Sequence, residues 1–284
     1  VEQAGGKCDG SSPTPTGSEH WAARYIVKSE HPASASDAAA QLMVLSTKGV
    51  MTSRGRPHPR HGRQFQFQNQ LMAEVARGML TDEARQELHQ LVAANLATAA
   101  EASEEEVARH YELGAMPEPA ARRYAVACLQ AARAGDTATV LRCADKALAL
   151  GVDGERRFAL HMARADALGF EARRNEQAIA LMAAFEVAVG PSQRGRVLRD
   201  QAWWLVHTGQ RTRALAVAQE AEAAAREAGD DEVLALALGC RIVVLAHSGE
   251  HAAADETLFE AMALTASLGP EVRARAATWR AQLA

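Results

Sequence analysis

From residue 124 to residue 269 the chain passes four times through one pattern of apolar and polar positions. Each pass has an apolar stretch of helical length, a polar or glycine-bearing turn, and a second helical stretch with alanine near its start. The segments are YAVACLQAARAGDTATVLRCADKALALG, MARADALGFEARRNEQAIALMAAFEVAVG, LRDQAWWLVHTGQRTRALAVAQEAEAAAREAG and LGCRIVVLAHSGEHAAADETLFEAMALTASLG. With Gly135, Arg173, Gly209 and Gly249 as the turn marks, the steps are about 38, 36 and 40 residues, a period that belongs to stacked helix pairs. Leucine-rich and propeller periods fit worse. The terminal AQLA gives no clear capping helix.

Ahead of the repeats the pattern changes several times. Residues 1–36 are rich in Gly, Ser, Pro and Thr, with a short apolar patch from Trp21 to Val27, and predict a weakly ordered leader. A helix is expected from Asp37, stopped by Gly49, whose freedom at positive φ suits a helix end. Pro57, Pro59, Gly55 and Gly62 then predict a basic loop, and Phe65 and Phe67, alternating with glutamine, one short strand. NQLMAEVARGML and TDEARQELHQLVAANLATAA read as two further helices, the second opened by Thr81 and Asp82. SEEEVARHYELG is a short helix capped by Ser103 and ended by Gly114.

Composition narrows the function classes. Aromatic residues make up 5% of the chain, while Ala, Leu, Glu and Arg crowd residues 71–284, which favours helix over strand. A net charge of −4 gives no general attraction to nucleic acid or an anionic membrane. Cys8, Cys128, Cys143 and Cys240 form no C-x-x-C pair, so neither a zinc site nor a disulfide framework is expected. No apolar run approaches the ~20 residues of a membrane span and no secretory signal opens the chain, which places it in the cytoplasm. The first residue is Val1 rather than Met, which is expected of a piece of a longer product or of a non-standard start codon.

The large-small-large spacing of Leu198, Ala202 and Leu205, with Gly209 and then Ala214, Ala218 and Ala221, resembles the tetratricopeptide repeat. The second unit departs from it at Arg173 and Phe185, and the fourth at Ile242, which predicts distortion there. QFQFQNQLMAEVARGMLTDEARQELHQLVAANLATA followed by SEEEVARHYELGAMPEPAARRYAVACLQAARAGD resembles the region behind the ATPase of large bacterial signalling proteins. There a winged-helix module leads into tetratricopeptide repeats, behind an AAA or STAND-type ATPase or a Ser/Thr kinase. The resemblance implies an all-α chain with a leader (1–36), a degenerate winged-helix-like module (37–100) and an α-solenoid of helix pairs (101–284). No G-x-x-x-x-G-K-[ST] or kinase signature occurs, so the catalytic part of such a protein is not here.

No motif carries catalysis. His247 and His251 stand four apart with Ser248 and Gly249 between them, where a turn breaks the shared face a metal needs. Glu104, Glu105 and Glu106 open a helix, where carboxylates are favoured by the dipole. The alignment with the repeat family puts Arg122, Leu129, Arg133, Phe170, Arg196, Arg199, Trp203, His207, Val243 and His247 on the concave face. That mixture suits an acidic segment or peptide carboxylate, with Trp203 supplying contact area, although arginines at such positions also simply solvate helices. The expectation is a non-catalytic protein-interaction scaffold without cofactor or metal. The alternative is a transcription-regulator fragment whose 37–81 module grips phosphates through Arg54, Arg56, Arg60 and Arg63, aided by His58 and His61.

Overall fold

The computed structural model describes residues 32–58, 62–99 and 102–283. Among the described residues the chain is all-α apart from one hairpin, with two compact units dividing at Ala120/Ala121.

The first unit opens with α1 (Pro32–Thr47), which starts ahead of the expected Asp37. Gly49 takes φ 73 just past its end, while the Val50 amide donates to the Leu45 carbonyl at 3.0 Å. The predicted basic loop is instead the first arm of a hairpin. Here β1 (Met51–His58) pairs antiparallel with β2 (Gly62–Phe67), Ser53 opposite Phe65. Gly55 and Pro57 fall within the register shift between Arg54 and His58. An irregular stretch tolerates a proline that a regular ladder rejects, which is why the proline count misled the sequence reading.

The hairpin leads into α2 (Gln70–Gly78) and α3 (Asp82–Leu96), where Asn69 and Thr81 accept from the backbone amides of Leu71 and Ala84 as N-caps. Ser103 caps α4 (Glu104–Leu113) by accepting from the Glu106 amide. Val92 and Leu96 of α3 close on Val107 of α4, with Tyr111 alongside. Within the same joint, Nδ1 of His89 stands 2.9 Å from Nδ1 of buried His110. One ring must donate and the other accept, so the two rings cannot both be protonated on Nδ1.

The second unit begins within α5 (Pro117–Ala134), followed by α6 (Thr137–Leu150), α7 (Gly154–Phe170), α8 (Arg174–Val187) and α9 (Gly190–His207). Next come α10 (Arg211–Ala228), α11 (Asp231–His247), α12 (His251–Thr265) and α13 (Pro270–Leu283). From α6 onward each helix packs on the next, and α9 and α13 also pack on α11. The tight turns between partners are left-handed at Gly135 (φ 74), Ala172 (φ 57), Gly209 (φ 77) and Gly249 (φ 80). The second turn therefore hinges on Ala172 rather than Arg173, and the hinges stand 37, 37 and 40 residues apart.

Alanine sets the helix separation. Ala202 of α9 and Ala214, Ala218, Ala221 and Ala225 of α10 are fully buried, and small side chains let neighbouring backbones approach. Phe158, Leu168, Leu181 and Val197 fill the space between α7, α8 and α9. Phe185, out of pattern for the repeat, is exposed, whereas Ile242 is fully buried. Helix α11 is buried on all sides from Val233 to Leu245, except at half-buried Arg241, as expected for a helix surrounded by others. That arginine donates to Oε2 of buried Glu222 at 3.0 Å, which Arg226 shares. Beyond the four repeated segments, α13 buries Val272, Ala276 and Trp279 against this core.

Candidate functional site

A cleft of about 320 Å³ opens in the second unit, lined by side chains of four helices. Helix α7 supplies Asp166 and Phe170, α8 supplies Arg174 and Gln177, and α9 supplies Asp200, Trp203, Trp204 and His207. Arg275 comes from α13. These positions converge because α7, α8 and α9 pack in sequence, while α13 packs on the α11 that also supports α9.

Hydrogen bonds fix the walls. The Trp204 indole Nε1 donates to the Arg174 carbonyl at 2.9 Å, tying α9 to the start of α8. Arg174 donates from Nη1 to the Gly169 carbonyl at 3.2 Å and to Gln177 Oε1 at 2.8 Å. Both acceptors are neutral, so its charge is not cancelled by a direct ion pair. Trp203 is half-buried and its ring lies 6.2 Å from that of His207. Phe170 is 86% exposed, an apolar face offered to solvent at the rim.

The carboxylates differ. Asp200 is mostly buried, and its Oδ1 accepts from Arg199 at 2.7 Å while Oδ2 is buried without a hydrogen-bond partner. Asp166 is exposed to water and makes no direct ion pair or hydrogen bond among the described residues. The surrounding protein nevertheless pushes its carboxyl up to about 6, burial first and the Asp200 charge second, against the pull of Arg199, Arg275 and Arg196. Water reaching the side chain limits the effect, so the upward direction, which burial and a like charge share, carries the argument. His207 is held below the ordinary imidazole range by burial and then by Arg174.

The chain matches no family model. No curated protein matches it either.

Of the residues expected on a concave face, Phe170, Trp203 and His207 line the cleft. Arg199 is spent on Asp200, and Arg196 is exposed on α9 and acts on Asp166 through its charge. Arg122 and Arg133 are exposed on α5, and Leu129 of the same helix is half-buried; none lines the cleft. Val243 is buried in the α11 core, and His247, exposed at the end of α11, sets Nδ1 2.7 Å from the Val243 carbonyl. Sequence reasoning missed Asp166, Asp200, Arg174 and Arg275. The available signal was an aspartate inside each of two apolar helices, ARADALGF and RDQAWWL.

Arg60 lies outside the described residues, as do the side chains of Arg54, Arg56 and Arg63. Among the described residues no group of three His, Cys, Asp or Glu side chains is arranged to hold a metal ion, and no helix is long and apolar enough to cross a membrane.

Proposed function

We propose that the chain is a non-catalytic protein-interaction scaffold, the sensor or recruitment arm of a bacterial signalling ATPase or kinase. Its helix pairs form a tetratricopeptide-like α-solenoid behind a winged-helix-like module. The solenoid reading draws support from the recurring left-handed turns at Gly135, Ala172, Gly209 and Gly249. The cleft on α7, α8, α9 and α13 is the partner site, and it takes an acidic segment or a terminal carboxylate.

One observation carries this choice of ligand. Among the described residues, no carboxylate is bonded to Arg174 or Arg275, which line the cleft beside the half-buried face of Trp203. Two such guanidinium groups favour an incoming carboxylate through charge-assisted hydrogen bonds, and an aromatic anchor adds desolvated area.

The test begins with a protein co-purified from cells that express the chain, identified, produced separately and titrated against the pure chain. Trp203→Ala and Arg174→Ala should each weaken binding about tenfold or more, as loss of an interface anchor does. Unchanged affinity in both variants would place the partner elsewhere and refute the cleft as the docking site.

The second reading, DNA contact by the 37–81 module, is favoured by the β1–β2 hairpin, whose arms bring Arg54 opposite Gln64. Phosphate contacts by Arg54, Arg56, Arg60 and Arg63 would give salt-dependent duplex binding that is lost when all four become Ala. Absence of such binding in the parent chain eliminates the reading.

A further inference from the structure

The cleft contains a carboxyl that works against the ligand its arginines favour. Asp166 is the one group there that is acidic, open to solvent and without a direct partner among the described residues. Asp200, the other acid, has its charge opposed by Arg199 at 2.7 Å and its remaining oxygen buried. An arriving carboxylate thus meets two cations, Arg174 and Arg275, and one anion, Asp166, none of them in a direct ion pair among the described residues.

We propose that Asp166 is the specificity-determining residue of this cleft and a proton gate: an anionic partner binds with proton uptake by the Asp166 carboxylate. This rests on the cleft being the partner site.

The physical reason is the charge balance. With Asp166 ionised, the incoming carboxylate stands near a like charge in a cleft that already holds Asp200, and like charges confined together favour protonation of one of them. Protonation removes the repulsion and turns Asp166 into a hydrogen-bond donor toward the ligand. In the free cleft the surrounding protein, with the like charge of Asp200 among the causes, already pushes the Asp166 carboxyl upward. Among the described residues, charged groups face the site from four helices. Asp166 comes from α7 and Arg174 from α8; Arg196, Arg199, Asp200 and His207 come from α9; Arg275 comes from α13. The arginines keep their charge throughout this range. Among the described residues Asp200 and His207 are the other titratable groups lining the cleft; the Asp166 and His207 variants separate their contributions from that of Asp166.

A cationic partner would do the reverse. It would favour ionised Asp166 and bind more weakly in acid. The direction of the pH dependence therefore reports the sign of the ligand, and its loss on substitution identifies the residue.

The probe is a rhodamine-labelled, aspartate-rich peptide with a free C terminus, titrated by fluorescence anisotropy at about pH 5.5 and about pH 8. If the bound ligand raises the Asp166 proton affinity by about one unit, binding is roughly five- to tenfold tighter at the lower pH. Calorimetry in two buffers of different ionisation enthalpy should then record proton uptake. Asp166→Asn should bind at both pH values as tightly as the parent does in acid, with the uptake gone. Asp166→Ala should also lose the slope, and His207→Ala should retain it. A slope that persists in both Asp166 variants, or that is absent from a parent chain whose binding is lost in Arg174→Ala and Arg275→Ala, overturns the gate and leaves the cleft as the partner site. Failure of the parent and Asp166→Asn to bind the peptide at either pH, or binding indifferent to Arg174→Ala and Arg275→Ala, overturns the acidic-ligand reading of the cleft, and the gate with it.

Discussion

Gly239 of α11 lies directly under the indole of Trp279 of α13: a Cβ built on Gly239 would come within 2.2 Å of Cζ2. The glycine is what lets α13 lie flat on α11 and close the hydrophobic core there. Gly239→Ala should therefore destabilise the second unit despite the better helix propensity of alanine, by about 1–3 kcal/mol for an overpacked core. Trp279→Ala should cost about 3–5 kcal/mol through the cavity it leaves. In the double variant the clash disappears, so its loss should fall short of the two single losses added together. Urea denaturation followed by circular dichroism measures all three, and strict additivity would show that the two residues do not press on one another.

Ala172 holds a conformation that L-residues avoid. Its φ of 57 closes the α7–α8 turn, where its amide donates to the Gly169 carbonyl at 3.1 Å and the Arg173 amide to the Leu168 carbonyl at 2.9 Å. The left-handed region costs an alanine ~1–2 kcal/mol, and glycine returns part of that gain as unfolded-state entropy. Ala172→Gly should raise stability by about 0.5–1 kcal/mol, seen as an increase in Tm. A lower Tm would mean that the turn is not strained.

The same turn illustrates which parts of the fold the residues make legible. Turn glycines 135, 209 and 249 mark three of four hinges because glycine is the ordinary occupant of a left-handed helix end. The remaining hinge was assigned to Arg173, one residue late, because alanine carries no such signal. Helix α13 was hidden because its buried face consists of Val272, Ala276 and Trp279 among arginines, too sparse a stripe to stand out. Strand β1 was hidden by Pro57. In the cleft, Phe170, Trp203 and His207 are positions that the family alignment sets on one face. Asp166 and Arg275 were not, because their meeting depends on packing between helices more than a hundred residues apart in sequence.

His89 and His110 make the α3–α4 joint acid-sensitive. Burial, then the His89 ring and Arg109, drop the His110 imidazole to about 4, while burial and Arg109 lower His89. The folded state thus rejects protons that the unfolded chain accepts below the ordinary imidazole value of 6.5. Stability from this pair is fully present above that value and is lost as pH falls toward 4, on the order of 2–3 kcal/mol for buried His110. The urea midpoint of the first unit should fall over this window in the parent chain and fall much less in His110→Leu. Parallel acid limbs in the two proteins would contradict the neutral pair.

Asp166 predicts the opposite sign. Its folded carboxyl, near 6, lies above the ordinary value of 3.8, so between these limits the folded state binds more proton than the unfolded chain. The residue therefore lowers stability at neutral pH, and the deficit shrinks as pH falls from 6 toward 3.8. Asp166→Asn retains the shape without the charge and should raise Tm at pH 7, the gain diminishing through this window and vanishing below it. Exposure of the side chain to water keeps the gain modest, because solvent screens the charge it removes. A carboxylate that costs stability in the empty cleft is the behaviour expected of a group retained for binding, since functional sites carry unfavourable charge that surrounding packing offsets. Thermal melts of the two proteins across about pH 4–8 decide the matter: a Tm difference that grows with acidity would mean that the Asp166 carboxylate stabilises the cleft and that no proton gate exists there.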